Sequence, residues 1–167
     1  GNYSITFVPG TFTIKQTNHM TLTVTPYKDA YDGQAHGVAA TAKGYGEDLP
    51  DATITYSTDG GQTWSPNVPQ ITNVGTINVT AKAVHKNFVT VTKNYTLEVT
   101  GKEVTVKAND KTKVYGETDP SFDAVVTGTL GTDTVTYSLT REAGEDVKAG
   151  GYKITPSGAK DQGNYTV

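Results

Sequence analysis

The chain has 167 residues, a net charge of −3, a hydrophobic share of 35% and no Cys. The lack of Cys excludes disulfides, thiolate metal sites and Cys nucleophiles. Without a Lys/Arg cluster to neutralise phosphates, we expect no nucleic-acid partner, and no apolar run approaches the ~20 residues of a membrane span. The length allows one large domain or two small ones.

Short runs in which apolar and polar residues alternate recur along the chain. Thr and Val are abundant, and no window has the apolar spacing of a helix, so the runs predict strands bounded by Gly, Pro, Asp or Asn. We therefore predict an all-β chain of two small tandem β-sandwich (Ig-like) domains, with a β-grasp-like sheet as the alternative. In chain order, the apolar positions are Ile5, Phe7, Phe12, Ile14, Leu22, Val24, Ile54, Tyr56, Ile77, Val79, Ala81, Ala83, Tyr95, Leu97, Val99, Val104, Val106, Val135, Tyr137, Leu139, Tyr152 and Ile154.

One strand motif occurs three times. Asn2-Tyr3-Ser4-Ile5 opens the chain, Asn94-Tyr95-Thr96-Leu97 lies inside it, and Asn164-Tyr165-Thr166-Val167 closes it. This pattern predicts a segment of a tandem array whose edges fall inside repeat units. We place the terminal strand of a preceding repeat at 1–17, a first β domain at 18–101 and a second at 102–167. Gly101 is then a very short linker, which favours a stiff end-to-end arrangement.

The first residues continue the strand motif beyond the point at which the last copy stops. We expect the second domain to lack the end of its last strand, leaving an open sheet edge. Residues 2–14 carry the missing piece, so we expect them to add as a strand to another copy, head to tail. In a native array the same pairing would lie within one chain. The apolar side chains of this intermolecular strand are Ile5, Phe7, Phe12 and Ile14.

A hairpin-like motif lies at residues 57–64. Its order of Ser, Asp, Gly, Thr and Trp matches the Asp-box pattern of sialidase propellers, where the box is a structural turn. Asp accepts backbone N–H bonds across such a turn, and the glycines adopt positive φ. One box does not make a propeller, which needs several blades. We predict a structural turn formed by Ser57, Asp59, Gly61, Thr63 and Trp64.

Other residue types give weaker signals for a site. Tyr27, Tyr31 and Tyr45 lie near turns and are the candidate glycan-contact aromatics, although Tyr also packs at the edge of a thin core. His19, His36 and His85 lack ligand-spaced partners, and we interpret the acidic cluster of Glu142, Glu145 and Asp146 as a solvated turn. No catalytic constellation stands out. We therefore expect no enzyme activity, no metal and no cofactor.

Ordered motifs along the chain resemble a known family. The second half is similar to the MBG-type tandem repeat domains of bacterial cell-surface adhesins, and residues 2–15 resemble that repeat's whole last strand. The first half resembles a related surface repeat. This resemblance implies a secreted or wall-attached multidomain protein and transfers no catalytic residue. The motifs are Lys113–Phe122, Leu139–Val147, Gly151–Ile154 and Asn164–Val167 in the second half, and Tyr31–Gly33, Tyr56–Gly61 and Val74–Thr76 in the first.

Taken together, the residues and the resemblance predict a non-enzymatic stalk or interaction segment of a bacterial surface adhesin. Its partners would be neighbouring repeats of the same protein, and it would lie outside the cell, on the surface or secreted. The alternative function is binding of host glycan or mucin by these domains themselves. An exposed row of aromatic side chains on one face would favour the alternative, and a uniform polar surface would favour the stalk.

Overall fold

The computed structural model describes all 167 residues and confirms the all-β prediction, because it contains strands and no helix. No helix is therefore available to cross a membrane. The strands form five sheets. They are β1 (Met20–Thr23), β2 (Tyr27–Ala30), β3 (Thr41–Gly44), β4 (Glu47–Asp48), β5 (Thr53–Ser57), β6 (Gly75–His85), β7 (Phe88–Thr100), β8 (Lys102–Glu103), β9 (Thr105–Ala108), β10 (Ala124–Thr127), β11 (Ser138–Arg141), β12 (Ile154–Ser157), β13 (Asp161–Gln162) and β14 (Tyr165–Thr166).

Strands β1 to β7 make up what we call the first strand group. Its main sheet has the order β2-β7-β6-β5, and a smaller sheet has the order β1-β3-β4. The long hairpin of β6 and β7 is antiparallel, with Val79 opposite Tyr95, while β2 runs parallel to the end of β7. Alternate residues of this hairpin point to one face, which carries the buried side chains of Val79, Ala81, Tyr95 and Leu97.

The core of the first strand group lies between these two sheets. Leu97 and Val79 are its largest fully buried side chains, and Tyr56, Tyr95 and Ile71 pack around them. A second cluster places Met20 and Ala42 of the small sheet against Ala83 and Phe88 of the hairpin. Two layers held by inward-facing apolar side chains make a β-sandwich-like packing.

Strands β8 to β14 make up the second strand group. They form three small sheets, with orders β10-β9, β11-β12 and β13-β14-β8. In the last of these, β14 is antiparallel to β13 and parallel to β8. Only three residues form the buried cluster, Val104, Val135 and Tyr165. This core is thin, so the second group depends more heavily on hydrogen bonds and ion pairs than the first.

Residues 1–16 form no strand in the single chain. Their apolar side chains are exposed, and Phe7 is 90% accessible. Gln16 donates through its amide to the carbonyl of Lys86, and Thr17 then pairs with the first strand group through the backbone of Asn87 and Val89. The alternation at Ile5 and Phe7 therefore lacks the partner edge that a strand requires.

The two strand groups meet at Gly101. The carbonyl of Thr100 accepts from Tyr31 N–H at 2.8 Å, and Lys102 N–H donates to the carbonyl of Asn164 at 3.0 Å. The side chain of Asn164 then accepts from Val74 N–H at 2.9 Å. A Cβ at Gly101 would collide with the Thr166 hydroxyl, which explains why glycine occupies this close approach.

Candidate functional site

The Ser57–Trp64 segment forms a turn closed by the Asp59 carboxylate. This carboxylate accepts from the backbone N–H groups of Gln62 and Thr63 at 3.0 and 2.9 Å and from the Thr63 hydroxyl at 2.6 Å. The Ser57 hydroxyl donates to Asp59 at 2.7 Å and accepts from Gly61 N–H at 2.8 Å. Gly61 has a φ of 91°, a conformation that L side chains rarely adopt.

These bonds hold the pKa of Asp59 well below its usual range, chiefly through the Thr63 hydroxyl and backbone N–H and then through Ser57. Trp64 follows the turn, is half-buried, and donates from Nε1 to the Gly61 carbonyl at 3.0 Å. The Nζ of Lys82 lies 3.7 Å from the centre of the indole ring. The polar groups of this turn bond to one another, so the turn holds the chain where β5 ends.

The three candidate glycan-contact tyrosines lie apart. Tyr27 is half-buried and stacks on His36 with ring centroids 4.6 Å apart; burial and the nearby Asp29 carboxylate raise its pKa. Tyr31 lies where the two strand groups meet, against Tyr165. Tyr45 lies at the other end of the first group, where it is 67% exposed and stacks on His19. No face presents all three rings together.

The remaining histidines pair with single carboxylates. His36 Nε2 lies 2.9 Å from Asp32, and His85 Nε2 lies 3.0 Å from Asp51. The His85 Nδ1 accepts from Asn87 N–H, so the neutral ring carries its proton on Nε2 and donates it to Asp51. Each histidine hydrogen bond lowers the pKa of its Asp partner. The structure contains no group of three or more His, Cys, Asp or Glu placed to hold a metal ion.

A closed ring of four charges, which we call the ion ring, lies in the second strand group. Lys113 pairs with Asp119 at 2.8 Å and with Glu145, and Arg141 pairs with Asp119 and Glu145 at 2.8 Å each. Arg141 also donates to the carbonyls of Glu142 and Gly144. The ion ring therefore ties the loop after β9 to the loop after β11.

Pairing within the ion ring lowers the pKa of both carboxylates. Lys113 and then Arg141 lower that of Asp119, and the same two side chains lower that of Glu145. The same contacts raise the pKa of Lys113, through Asp119 first, and of Arg141, also through Asp119 first. Each of the four side chains is paired with opposite charges that stabilise its ionised form. None of them is therefore suited to exchange a proton near neutral pH.

A cleft of about 270 Å³ opens beside the ion ring. Its walls include the rings of Tyr115 and Tyr152, and Lys148 and Arg141 lie 4.9 and 5.3 Å from the centre of the Tyr152 ring. Both cations beside this ring also form ion pairs: Lys148 pairs with Glu142 at 2.8 Å, and Arg141 belongs to the ion ring. This geometry favours a role in stabilising the two loops over a role as a reactive centre.

The sequence did not indicate the ion ring. Glu142 and Glu145, expected in a solvated acidic turn, are both paired with cations, while Asp146 accepts the Tyr152 hydroxyl through its backbone carbonyl at 2.9 Å. Arg141 and Glu145 are four residues apart, which is a local signal. Lys113 lies 32 residues from Glu145, a separation at which no sequence pattern selects a partner.

The side chains assigned to an intermolecular strand point into solvent. Ile5, Phe7, Phe12 and Ile14 are between 75% and 90% exposed, and none contacts the core clusters. The segment therefore presents a row of apolar side chains that the single chain leaves unused.

Comparison with known proteins finds a family match within the second strand group. Residues 104–167 match the family model described as MBG domain (YGX type). This match confirms the resemblance of the second half to MBG-type repeats, and it covers the Tyr115-Gly116 turn and the ion ring. Domains of this family are structural modules of bacterial surface proteins, and the family is not a known enzyme family. No curated protein and no solved structure matches the chain.

Proposed function

We propose that the chain is a non-enzymatic repeat segment of a bacterial cell-surface adhesin, located outside the cell, that acts as a stalk between neighbouring repeats. In this proposal the two strand groups are successive domains, 18–101 and 102–167, and residues 1–17 are the terminal strand of a preceding repeat. The proposal agrees with the family match of residues 104–167.

The observation that carries the proposal is the junction at Gly101. One residue separates β7 from β8, and Asn164 of the second group bonds to the first through both Val74 N–H and the Asn73 side chain. A short junction with bonds on both sides resists bending. Such a junction suits a module that holds its neighbours at a fixed distance. It suits less well a module whose domains close around a ligand.

The accessible surface supports an open arrangement of thin modules. It measures 11901 Å², against roughly 8,000 Å² expected for a compact monomer of this mass. Only 18 of 167 residues are buried, so the excess reflects small cores and an exposed first segment. A single compact domain with a deep ligand cavity would bury a larger share of its chain.

Small-angle scattering tests the stalk. Two sandwiches end to end would span ~70–80 Å, counting roughly ten residues per strand at ~3.3 Å each plus loops. A variant with four Gly/Ser residues inserted after Gly101 should sample bent shapes and show a broader distribution of lengths. The same insertion in the exposed 1–15 segment is the control. A compact side-by-side pair in the unmodified protein would contradict the proposal.

Glycan or mucin binding is the second candidate function, and one observation favours it. The Tyr45 ring is 67% exposed beside His19, and an exposed aromatic face is what sugar rings stack upon. A glycan array probed with the chain tests this candidate. Binding that disappears in Tyr45→Ala and persists in Tyr115→Ala, another exposed tyrosine, would support it. An array without any bound glycan would leave the stalk as the function.

A further inference from the structure

The two strand groups share one order of strands. β9 pairs with β10 as β1 pairs with β3, and β11 pairs with β12 as β5 pairs with β6, each time antiparallel. β13 then turns into β14 as β6 turns into β7, through two-residue turns at residues 163–164 and 86–87. Positions in one group can therefore be matched to positions in the other.

The two hairpin tips are bonded in the same way to the segment that enters their group. In each, an aromatic residue follows the turn and forms a parallel bridge with one residue of that segment. The same residue donates its N–H to the carbonyl of the turn's Asn, at 3.0 Å in both groups. Matched in this way are Asn87 with Asn164, Phe88 with Tyr165, and Thr17 with Lys102.

The junction between the groups joins two different kinds of surface. The Asn164 side chain, at the hairpin tip of the second group, accepts from Val74 N–H at 2.9 Å and donates to the Asn73 side chain at 3.1 Å. Tyr165 packs edge to face on Tyr31. We call the surface at a hairpin tip the tip end. The opposite surface, formed by the turn before β6 and the tyrosine after β2, is the turn end.

The second strand group has a turn end of its own. The turn at Ala149–Gly150 precedes β12, the strand matched to β6, and the Ala149 N–H forms no hydrogen bond within the chain. Tyr115 lies just before a glycine of positive φ, as Tyr31 does. Its ring is 69% exposed, whereas Tyr31 is half-buried against the neighbouring group. This turn end is therefore unoccupied within the chain.

The first strand group likewise has an unoccupied tip end. Asn87 is exposed, and its side chain forms no hydrogen bond within the chain. Beside it, Tyr45 packs on Phe88 with ring centroids 5.8 Å apart and remains 67% exposed. Tyr45 has a φ of 53° and is the only residue other than Gly with a positive φ. Strain of this kind is retained where the position of a side chain serves a function.

We propose that the tip end of the first strand group docks on the turn end of the second strand group of another copy, in the manner of the existing junction. The inference rests on the proposed stalk, in which such a copy is the preceding repeat. The Asn87 side chain accepts from the Ala149 N–H of that copy. The Tyr115 ring of that copy packs on the Tyr45–Phe88 pair.

The turn end of the second group has room for an incoming aromatic side chain. The cleft of about 270 Å³ beside the ion ring lies at this end, and its walls include Tyr115 and Gly151. Tyr45 is the exposed ring that the tip end offers to it. Burial of this ring and of Tyr115 supplies the main driving force. A docked Tyr45 is not accessible to a glycan, so the inference belongs to the stalk alone.

Docking of this kind gives every junction the same two surfaces. A tip end and a turn end differ, so the contact is head to tail and leaves one free surface of each kind at the two ends of an array. Each module then turns by a fixed rotation relative to the module before it, as in other arrays of repeats. The stalk is held by its junctions as well as by its chain connections.

Two copies joined in tandem test the contact by cysteine trapping, because the natural chain has no Cys. Residues 1–167 are followed directly by 6–167, since residues 2–5 repeat the motif of 164–167. Ala149→Cys in the first copy and Asn87→Cys in the second should form a disulfide, as positions joined by a hydrogen bond lie within reach. The positive control is Val74→Cys with Asn164→Cys in a single chain. The negative control replaces Asn87→Cys by Cys at Thr92, an exposed position within β7.

The disulfide yield should approach that of the positive control and exceed that of the negative control by about tenfold. A yield equal to the negative control, with the positive control formed, would overturn the docking and leave the stalk standing. Failure of the Val74–Asn164 pair as well would count against the junction in the single chain, and with it against the stalk.

Hydrogen exchange in the tandem chain without Cys gives the second measurement, with each copy isotopically labelled in turn. The Ala149 amide of the first copy should exchange more slowly than that of the second copy, whose turn end stays free. Asn87→Ala in the second copy should remove this difference, and Asn87→Ala in the first copy should leave it unchanged. Folding is not at issue, because Asn87 is an exposed turn residue. Equal exchange of the two Ala149 amides in the unmodified tandem chain would overturn the proposal.

Discussion

Tyr31 and Tyr165 pack edge to face where the two strand groups meet, with ring centroids 5.8 Å apart and ring planes at 89°. Tyr31 also packs against the core of the first strand group, and Tyr165 is buried in the core of the second. The Tyr165 hydroxyl donates to Asp133 at 2.5 Å and accepts from Leu130 N–H at 3.1 Å. This pair therefore joins the core of one strand group to the core of the other.

Replacing Tyr31 by Ala should weaken the second strand group although Tyr31 belongs to the first. The loss includes the roughly 0.5–1.5 kcal/mol that an aromatic pair adds beyond burial. Hydrogen exchange should show faster exchange at the amides of Val104 and Val167. Tyr45→Ala, whose ring contacts only the first group, is the control and should leave those amides unchanged. Unchanged exchange in Tyr31→Ala would mean that the groups fold independently.

Replacing Asp59 by Asn should lower the melting temperature of the first strand group by a few degrees. The amide keeps the shape of the side chain and loses the charge that four donors favour. Trp64 is the only Trp, so its fluorescence reports this group alone. Asp29→Asn, on the exposed edge strand β2, provides a matched control.

The effect of Asp59→Asn should also depend on pH. The folded pKa of Asp59 is lowered, so its contribution is complete above the unfolded value of about 4 and is lost as pH falls through the folded value. The difference in melting temperature between Asp59→Asn and the unmodified chain should therefore shrink in acid. A difference that stays constant from neutral pH into strong acid would contradict this assignment.

The ion ring should make the second strand group sensitive to both acid and base. Asp119 and Glu145 have lowered pKa values, so their contribution is lost as pH falls below about 4 toward the folded values. Lys113 has a raised pKa, so its contribution is complete below the unfolded value of about 10.4 and is lost above it. Far-ultraviolet circular dichroism across pH would show stability falling at both ends.

Replacing Asp119 by Asn removes two ion pairs at once and should lower the melting temperature of the second group. Added salt should reduce the difference, because the ring is partly accessible. Asp48→Asn breaks a single exposed pair with Lys43 and should have almost no effect, as isolated surface pairs contribute little. Equal effects from the two substitutions would show that the ion ring adds nothing beyond ordinary surface pairing.

Replacing Leu97 by Ala should destabilise the first strand group by about 2–5 kcal/mol, the usual cost of this truncation in a packed core. Leu97 is fully buried in the hairpin. Urea unfolding followed by Trp64 fluorescence measures the loss. Val84→Ala, at a 42% exposed position of β6, should stay within about 0.5 kcal/mol of the unmodified chain.

The sequence predicted strands best where alternation was strong and the partner was near. Ile77, Val79 and Ala81 predicted β6, and Tyr95, Leu97 and Val99 predicted β7, because these alternate positions face the core. Strand β2 was missed. Its residues Tyr27–Ala30 are mostly exposed, and parallel pairing with β7 defines it through the backbone alone.

Site contacts, too, could be predicted only where the partners lie close together in the sequence. The bonds of Asp59 lie within four residues of it, so turn chemistry indicated them. The partners of Lys113 in the ion ring arise from the packing of two loops, which local sequence does not encode. The alternation of Ile5, Phe7, Phe12 and Ile14 predicted strands, but residues 1–16 form none in the single chain because no sheet edge lies beside them.

The parallel pairing of β2 with β7, and of β8 with β14, has a mechanical consequence. Tension applied at the two ends of the chain pulls each such pair of strands lengthwise past one another. The hydrogen bonds between them must then break together in shear, instead of opening one at a time from one end. The rate of forced unfolding depends on that barrier more than on the free energy of a thin core. Strands of this arrangement can bear load while burying few residues.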